Sequence, residues 1–231
     1  MNCKILLSAA AIAVAAFLTV PVQPVSAETI AIDQIGGLRS PTRIAVSVSG
    51  LIYVADHKNG SVAVFDAAGN KTDTLEGFKA PLGLAVLETP PTGKCFAYNL
   101  DRRNNGKSKK CSVVTGRNYL FVGDEGDGSV QVFIDGEKNI ELGNGSGEFI
   151  KPNGIAVTSD LTAYVVDSKA NEVRVYDKTG TLQTTFGGAG FNFPTDISLN
   201  ETAGELYVSD FFNKRIRVYD LGGGWLRDIE A

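Results

Sequence analysis

The chain has 231 residues, with 22 Lys and Arg against 26 Asp and Glu, one His and a formal charge of −4. That acidic balance argues against a nucleic-acid partner, and a single histidine excludes a centre built from several imidazoles. With 26 glycines and little helical periodicity, the composition favours one large all-β core.

The chain opens Met1-Asn2-Cys3-Lys4, runs apolar from Ile5 to Val20, and reaches Val25-Ser26-Ala27 after Pro21 and Pro24. One basic residue, a short Ala-rich stretch and a small-x-small site predict a signal peptide over residues 1–27, cut after Ala27. The rival reading is a transmembrane helix. Against it stand the short run, the two prolines and the lack of a stop-transfer charge cluster. The expectation is a secreted or periplasmic protein without stable membrane insertion, whose charge becomes −5 once Lys4 is lost. Cys3 precedes the apolar run and is not placed as a lipid acceptor at the cleavage point.

Past Ala27, Thr29 to Gly37 reads as an outer strand, similar to Thr181 to Gly188. A Pro followed by an apolar strand then recurs at Pro41, Pro81, Pro152 and Pro194, at spacings of 40, 71 and 42 residues. An insertion of about 30 residues in the second unit, over 88–118, restores a period near 41, within the range of four-stranded propeller blades. The first unit reads Pro41-Thr42-Arg43-Ile44-Ala45-Val46, Leu51-Ile52-Tyr53-Val54-Ala55-Asp56, Ser61-Val62-Ala63-Val64-Phe65-Asp66. The third and fourth repeat all three pieces, from Pro152 to Asp177 and from Pro194 to Asp220. Each piece is a short β-branched or aromatic strand bounded by turn residues. Pro owes no ladder hydrogen bond at a strand start, and the small residue after it lets inner strands crowd near an axis. The predicted architecture is an all-β propeller with blades over about 38–79, 80–150, 151–192 and 193–231.

Each second strand ends in an aspartate: Asp56, Asp124, Asp167 and Asp210. Four carboxylates suggest a metal ring. Their recurrence in every repeat favours structural turn residues that accept backbone N–H bonds, because a reactive site would be asymmetric.

The insertion holds Cys95 and Cys111, the two cysteines left after Cys3 departs with the signal. They can pair only with each other, closing a loop of fifteen intervening residues. A disulfide of that loop length contributes roughly 3 kcal/mol. A metal site is the alternative, but two thiols without a nearby His fall short of four ligands. The insertion is net basic, with Asn104-Asn105-Gly106 as a turn at its tip, and suits an anionic surface or partner as well as it suits a solvated loop.

The pattern Pro-x-Gly-Ile-Ala-Val, Tyr-Val-x-Asp, Val-x-Val-Tyr-Asp, Gly resembles the NHL repeat of six-bladed propellers, over about residues 37 to 231. Four in-register copies fall short of six, so the resemblance implies an open arc of a longer propeller. A closed four-bladed form is the alternative. An open arc exposes apolar blade faces at its two ends and is expected to self-associate.

The resemblance also places binding loops on one face around the axis. There the candidates are Arg43, His57, Lys79, Asn153, Asp196, Phe211 and Phe212, with Phe191, Phe193 and further lysines around them. Mixed basic and aromatic residues suit a protein, peptide or glycan partner. The bland reading, solvated loop residues with Phe193 plugging between blades, holds equally for any one of them.

Some propellers of this kind are enzymes. Zinc-dependent lyases need several histidines, which this chain lacks. A calcium-dependent hydrolase or lactonase remains the alternative, through Asn153, Asp196 and loop carboxylates, although Arg43, Gly83 and Gly154 stand where ligands would be needed. No nucleophile elbow or phosphate-binding glycine loop is present, and Gly143-Asn144-Gly145-Ser146-Gly147 reads as a flexible loop. The expectation is a binding scaffold with no resident cofactor and no catalysis of its own.

Overall fold

A computed structural model describes residues 36–90, 92–98, 108–114 and 116–230. The predicted signal peptide, most of the predicted outer strand over 29–37, and the Asn104-Asn105-Gly106 turn lie outside the described residues. Residues 32–231 form one compact unit. It consists of four antiparallel four-stranded sheets, the blades of a β-propeller, with three single turns of 3₁₀ helix among the described residues.

Blade 1 contains β1 (Pro41–Val46), β2 (Ile52–Asp56), β3 (Ser61–Phe65) and β4 (Lys71–Leu75). Blade 2 begins with β5 (Pro81–Glu88) and resumes, after a separate hairpin of β6 (Thr92–Tyr98) and β7 (Ser108–Val114), with β8 (Asn118–Asp124), β9 (Ser129–Ile134) and β10 (Glu137–Glu141). Blade 3 contains β11 (Pro152–Val157), β12 (Ala163–Asp167), β13 (Glu172–Tyr176) and β14 (Leu182–Gly187). Blade 4 contains β15 (Pro194–Asn200), β16 (Glu205–Asp210), β17 (Arg215–Asp220) and β18 (Trp225–Glu230). The four repeated prolines open the inner strands, as a residue without a donor can.

Alternation along each strand sends one set of side chains to the preceding blade and the other to the following one. Tyr164, Val166, Val173 and Val175 of blade 3 thus meet Ile197, Leu206, Val208 and Tyr219 of blade 4. The same registers unite blades 1 and 2, and blades 2 and 3. Leu84, Ile155 and Ile197 hold equivalent inner-strand positions and are 6%, 7% and 6% exposed against the preceding blade. Ile44, their counterpart in blade 1, is 61% exposed, because no described sheet packs there. Burial of such a side chain stabilises by roughly 1.5–3 kcal/mol, so the three inner positions help fix blade order while Ile44 does not.

The insertion is more ordered than a basic loop requires. Its halves pair as β6–β7 in continuous antiparallel register, with Cys95 opposite Cys111, and Thr89 N–H donates to the Arg117 carbonyl at the base (2.9 Å).

Candidate functional site

The position two residues after each repeated proline, near the start of the inner strand, is occupied by Arg43, Gly83, Gly154 and Asp196. The two glycines sit where inner strands press together. A Cβ on Gly83 would lie 2.6 Å from the Asn153 carbonyl oxygen, and one on Gly154 would lie 2.7 Å from Asp196 Cα. At the same position blades 1 and 4 carry long or charged side chains, and these meet. Arg43 Nη1 donates to Asp196 Oδ2 at 2.7 Å, and Nη2 donates to Asn153 Oδ1 at 3.0 Å and to the Thr195 carbonyl at 3.4 Å. Asn153 Nδ2 continues the chain to Ser168 Oγ at 3.2 Å. Three predicted site residues from three blades therefore form one network across the axis.

That network does not fit a calcium ion. Asn153 and Asp196 each spend a side-chain oxygen on the Arg43 guanidinium, a fixed positive charge where a divalent cation would have to sit. Among the described residues no three His, Cys, Asp or Glu side chains converge as a metal cluster.

Three lysines of the loop face meet carboxylates of the β8–β9 turn, two of them from blade 3. Lys79, before β5, meets Asp127 of the β8–β9 turn, and Glu125 of that turn accepts from Lys151 (2.7 Å) and from Lys169 (3.4 Å). Burial alone would raise the Glu125 carboxyl, but the two ammonium groups outweigh it and hold the group below the usual carboxylate range. Asp127 in turn raises the Lys79 ammonium. These three lysines are matched by carboxylates.

The four repeated aspartates act as buried acceptors. Asp56 takes the N–H groups of Arg39 and Ser40; Asp124 those of Lys79, Ala80 and Gly126; Asp167 those of Ile150, Lys151 and Ala170. Asp210 accepts from Asn192 N–H, from Asn213 Nδ2 and from Arg215 Nε. Each ties the loop entering its blade to the turn between second and third strands. His57, in the turn after Asp56, is half-buried, and its Nδ1 has no hydrogen-bond partner among the described residues.

Among the described residues, blade 4 alone carries an exposed aromatic cluster on this face. Phe211 and Phe212, in the single 3₁₀ turn after β16, are 60% and 59% exposed, with ring centroids 5.1 Å apart. Phe212 also packs on Phe193 at 5.5 Å. Phe193 has φ +57°, a left-handed conformation that a bulky residue adopts only when its surroundings hold it there. Its N–H donates to Asn171 Oδ1 at 2.7 Å, and Phe212 N–H donates to the Asn192 carbonyl at 3.1 Å. Phe191, a candidate from sequence, is instead a core residue, 5% exposed against Tyr219. Sequence reading missed Asn171, itself at φ +59°, which fixes the Phe193 backbone.

A model of the NHL repeat matches residues 38–65 and 191–219. Protein brain tumor of Drosophila melanogaster is 25% identical over 97 residues, which are 39% of this chain and 9% of that protein. Among solved structures, streptogramin B lyase superposes with a TM-score of 0.59 at 12% identity, over 83% of this chain and 55% of that one. Hydrazine synthase of Kuenenia stuttgartiensis gives 0.59 at 17% identity, over 84% and 49%. A protein of unknown function from Bacteroides caccae gives 0.54 at 12% identity, over 83% and 61%. The chain thus spans a small part of its curated relative and about half of these solved chains, and the structural likenesses carry the fold alone.

Proposed function

Because the chain is an NHL-repeat protein, we propose that it is a non-catalytic binding scaffold that takes a protein or peptide on its loop face, at the aromatic cluster of blade 4. The carrying observation is the pair of exposed rings, Phe211 and Phe212, held on a strained Phe193. Exposed aromatics on a rigid support lose little conformational freedom on binding and supply anchor residues of the kind that dominate interfaces. The paired lysines and the Arg43 network suit the polar rim of such an interface. A glycan stacked on the rings is the second occupant of matching chemistry. The charge-paired face and the acidic balance speak against nucleic acid.

The proposal includes export to a secreted or periplasmic location after cleavage at Ala27, and a Cys95–Cys111 disulfide in the β6–β7 hairpin. The N-terminal sequence and the opposite register of the two cysteines support these readings.

The test is selection of displayed random peptides against the protein, followed by measurement of each binder against a Phe211→Ala/Phe212→Ala variant. Removing two exposed rings leaves folding stability within about 0.5 kcal/mol per position. It should weaken the selected binders at least about tenfold. Binders that hold both proteins equally place the interface elsewhere and defeat the reading.

A further inference from the structure

The repeats supply an internal comparison at the outer end of each interblade crevice. Between blades 2 and 3 the crevice is filled by Tyr119, Ile140 and Leu161, and only about 30 Å³ stays open. Between blades 3 and 4 it is closed by Leu221, whose carbonyl accepts from the Tyr164 hydroxyl at 2.9 Å. Between blades 1 and 2 a cavity of about 340 Å³ remains. That volume falls in the range of small-molecule clefts, roughly 300–1,000 Å³.

Three replacements open it. Leu51 and Tyr119 both stand five residues before the aspartate that ends the second strand, so a smaller side chain replaces a ring. Asp73 pairs with Val64 as Ile140 pairs with Val132, so a carboxylate replaces an apolar branch. Asn118 stands where blade 3 has Leu161.

The walls remain apolar, with Tyr53, Val64, Leu120 and Phe133. The polar groups are one-sided. Asp73 and Asp135 line the cavity, both exposed toward solvent, and no Lys or Arg lines it. Asn118 gives its Nδ2 hydrogens to the Tyr53 hydroxyl (2.6 Å), leaving a buried Oδ1 without a partner among the described residues. Two exposed carboxylates over apolar walls, with no cation in the lining, suit a cationic group on an apolar body.

We propose that the crevice between blades 1 and 2 is a binding site for a small aromatic amine, its ring on Leu120 and Phe133 and its ammonium at the exposed Asp73 carboxylate. This site is separate from the aromatic cluster of blade 4 and does not rest on it.

The probe is phenethylamine, with phenethyl alcohol as an uncharged compound of the same shape, titrated into the whole chain at neutral pH and followed by calorimetry. Phenethylamine should bind about fivefold more tightly than the alcohol. Asp73→Asn, which keeps the volume and removes the charge, should erase that preference. Asp73→Ile installs the residue that blade 2 already carries, fills the crevice and should abolish binding of both compounds; Leu51→Tyr does the same from elsewhere on the blade 1 wall if Asp73→Ile fails to fold. Absence of phenethylamine binding at millimolar concentration overturns the site, as does unchanged binding to a folded crevice-filling variant. Equal binding of amine and alcohol overturns the choice of ligand class.

Discussion

Gly154→Ala tests how closely the inner strands approach the axis. Gly154 has no left-handed backbone requirement, so its φ and ψ tolerate alanine, and shrinking the unfolded ensemble alone would stabilise by about 0.4–1 kcal/mol. Against that, the added Cβ would sit 2.7 Å from Asp196 Cα, 2.8 Å from Ile197 N and 2.9 Å from Asp196 C. Ordinary carbon contacts lie near 3.5–4.0 Å, so β15 must retreat by roughly 1 Å. All three obstructing atoms are backbone, and no rotamer change relieves them. Overpacking of this kind costs about 1–3 kcal/mol, which exceeds the entropic gain and leaves a net loss near 1–2 kcal/mol. The retreat also carries Asp196 away from Arg43. Urea unfolding of the two proteins reads the difference: with m of about 2–3 kcal/mol per molar, the midpoint should drop by about 0.5 M. A variant as stable as the parent, or more so, would refute the close approach of β11 and β15.

Asp167→Ala strands the Ile150, Lys151 and Ala170 N–H groups and should cost about 2–4 kcal/mol in urea unfolding, with Asp167→Asn less damaging because it keeps one acceptor oxygen. Glu205 is held at about 2, below its usual 4.5, by the Arg227 guanidinium and the Tyr207 hydroxyl. A depressed folded-state value means that this group's stabilisation is present above the unfolded pKa and fades as pH falls toward 2. The melting-temperature gap between the parent and Glu205→Gln should therefore be widest near neutral pH and close between about pH 5 and about pH 2; a gap that does not vary over that window removes the pair from the pH response. Thiol titration of the unreduced, denatured exported protein, which has lost Cys3, should find no reactive thiol; two would exclude a Cys95–Cys111 bridge.

The blades were legible because three signals coincide in every repeat: a proline where no donor is needed, alternating apolar strands, and an aspartate at the turn that follows. What the repeat does not encode is which side chains meet across the axis. Arg43 and Asp196 are 153 residues apart, and nothing periodic links them. Phe191 and Phe193 show the limit at close range. Strand-like alternation puts them on one side, yet the left-handed turn at Phe193 buries the first and sends the second toward Phe212. The outer strands are harder still. Register shifts between Val64 and Phe65, and between Lys138 and Ile140, hide the equivalence of Asp73 and Ile140 until the pairing is seen.

Where four copies of one unit share a backbone, what they have in common answers to packing, and what a single copy changes calls for another cause. Gly83 and Gly154 are small because the next blade presses on them, so Arg43 and Asp196 at the same position mark where the axis has room for chemistry. The turn after the second strand reads His57-Lys58, Glu125-Gly126 and Ser168-Lys169 in three blades and Phe211-Phe212 in the fourth. That substitution satisfies no internal need, since both rings stay exposed at about 60%. Asp73 likewise gives up apolar contact that Ile140 makes one blade later. Arg43 and Asp196 answer each other inside the chain, whereas the exposed rings of blade 4 and the carboxylate at Asp73 leave apolar surface uncovered, and a contact with something outside the chain is the cause that accounts for keeping them.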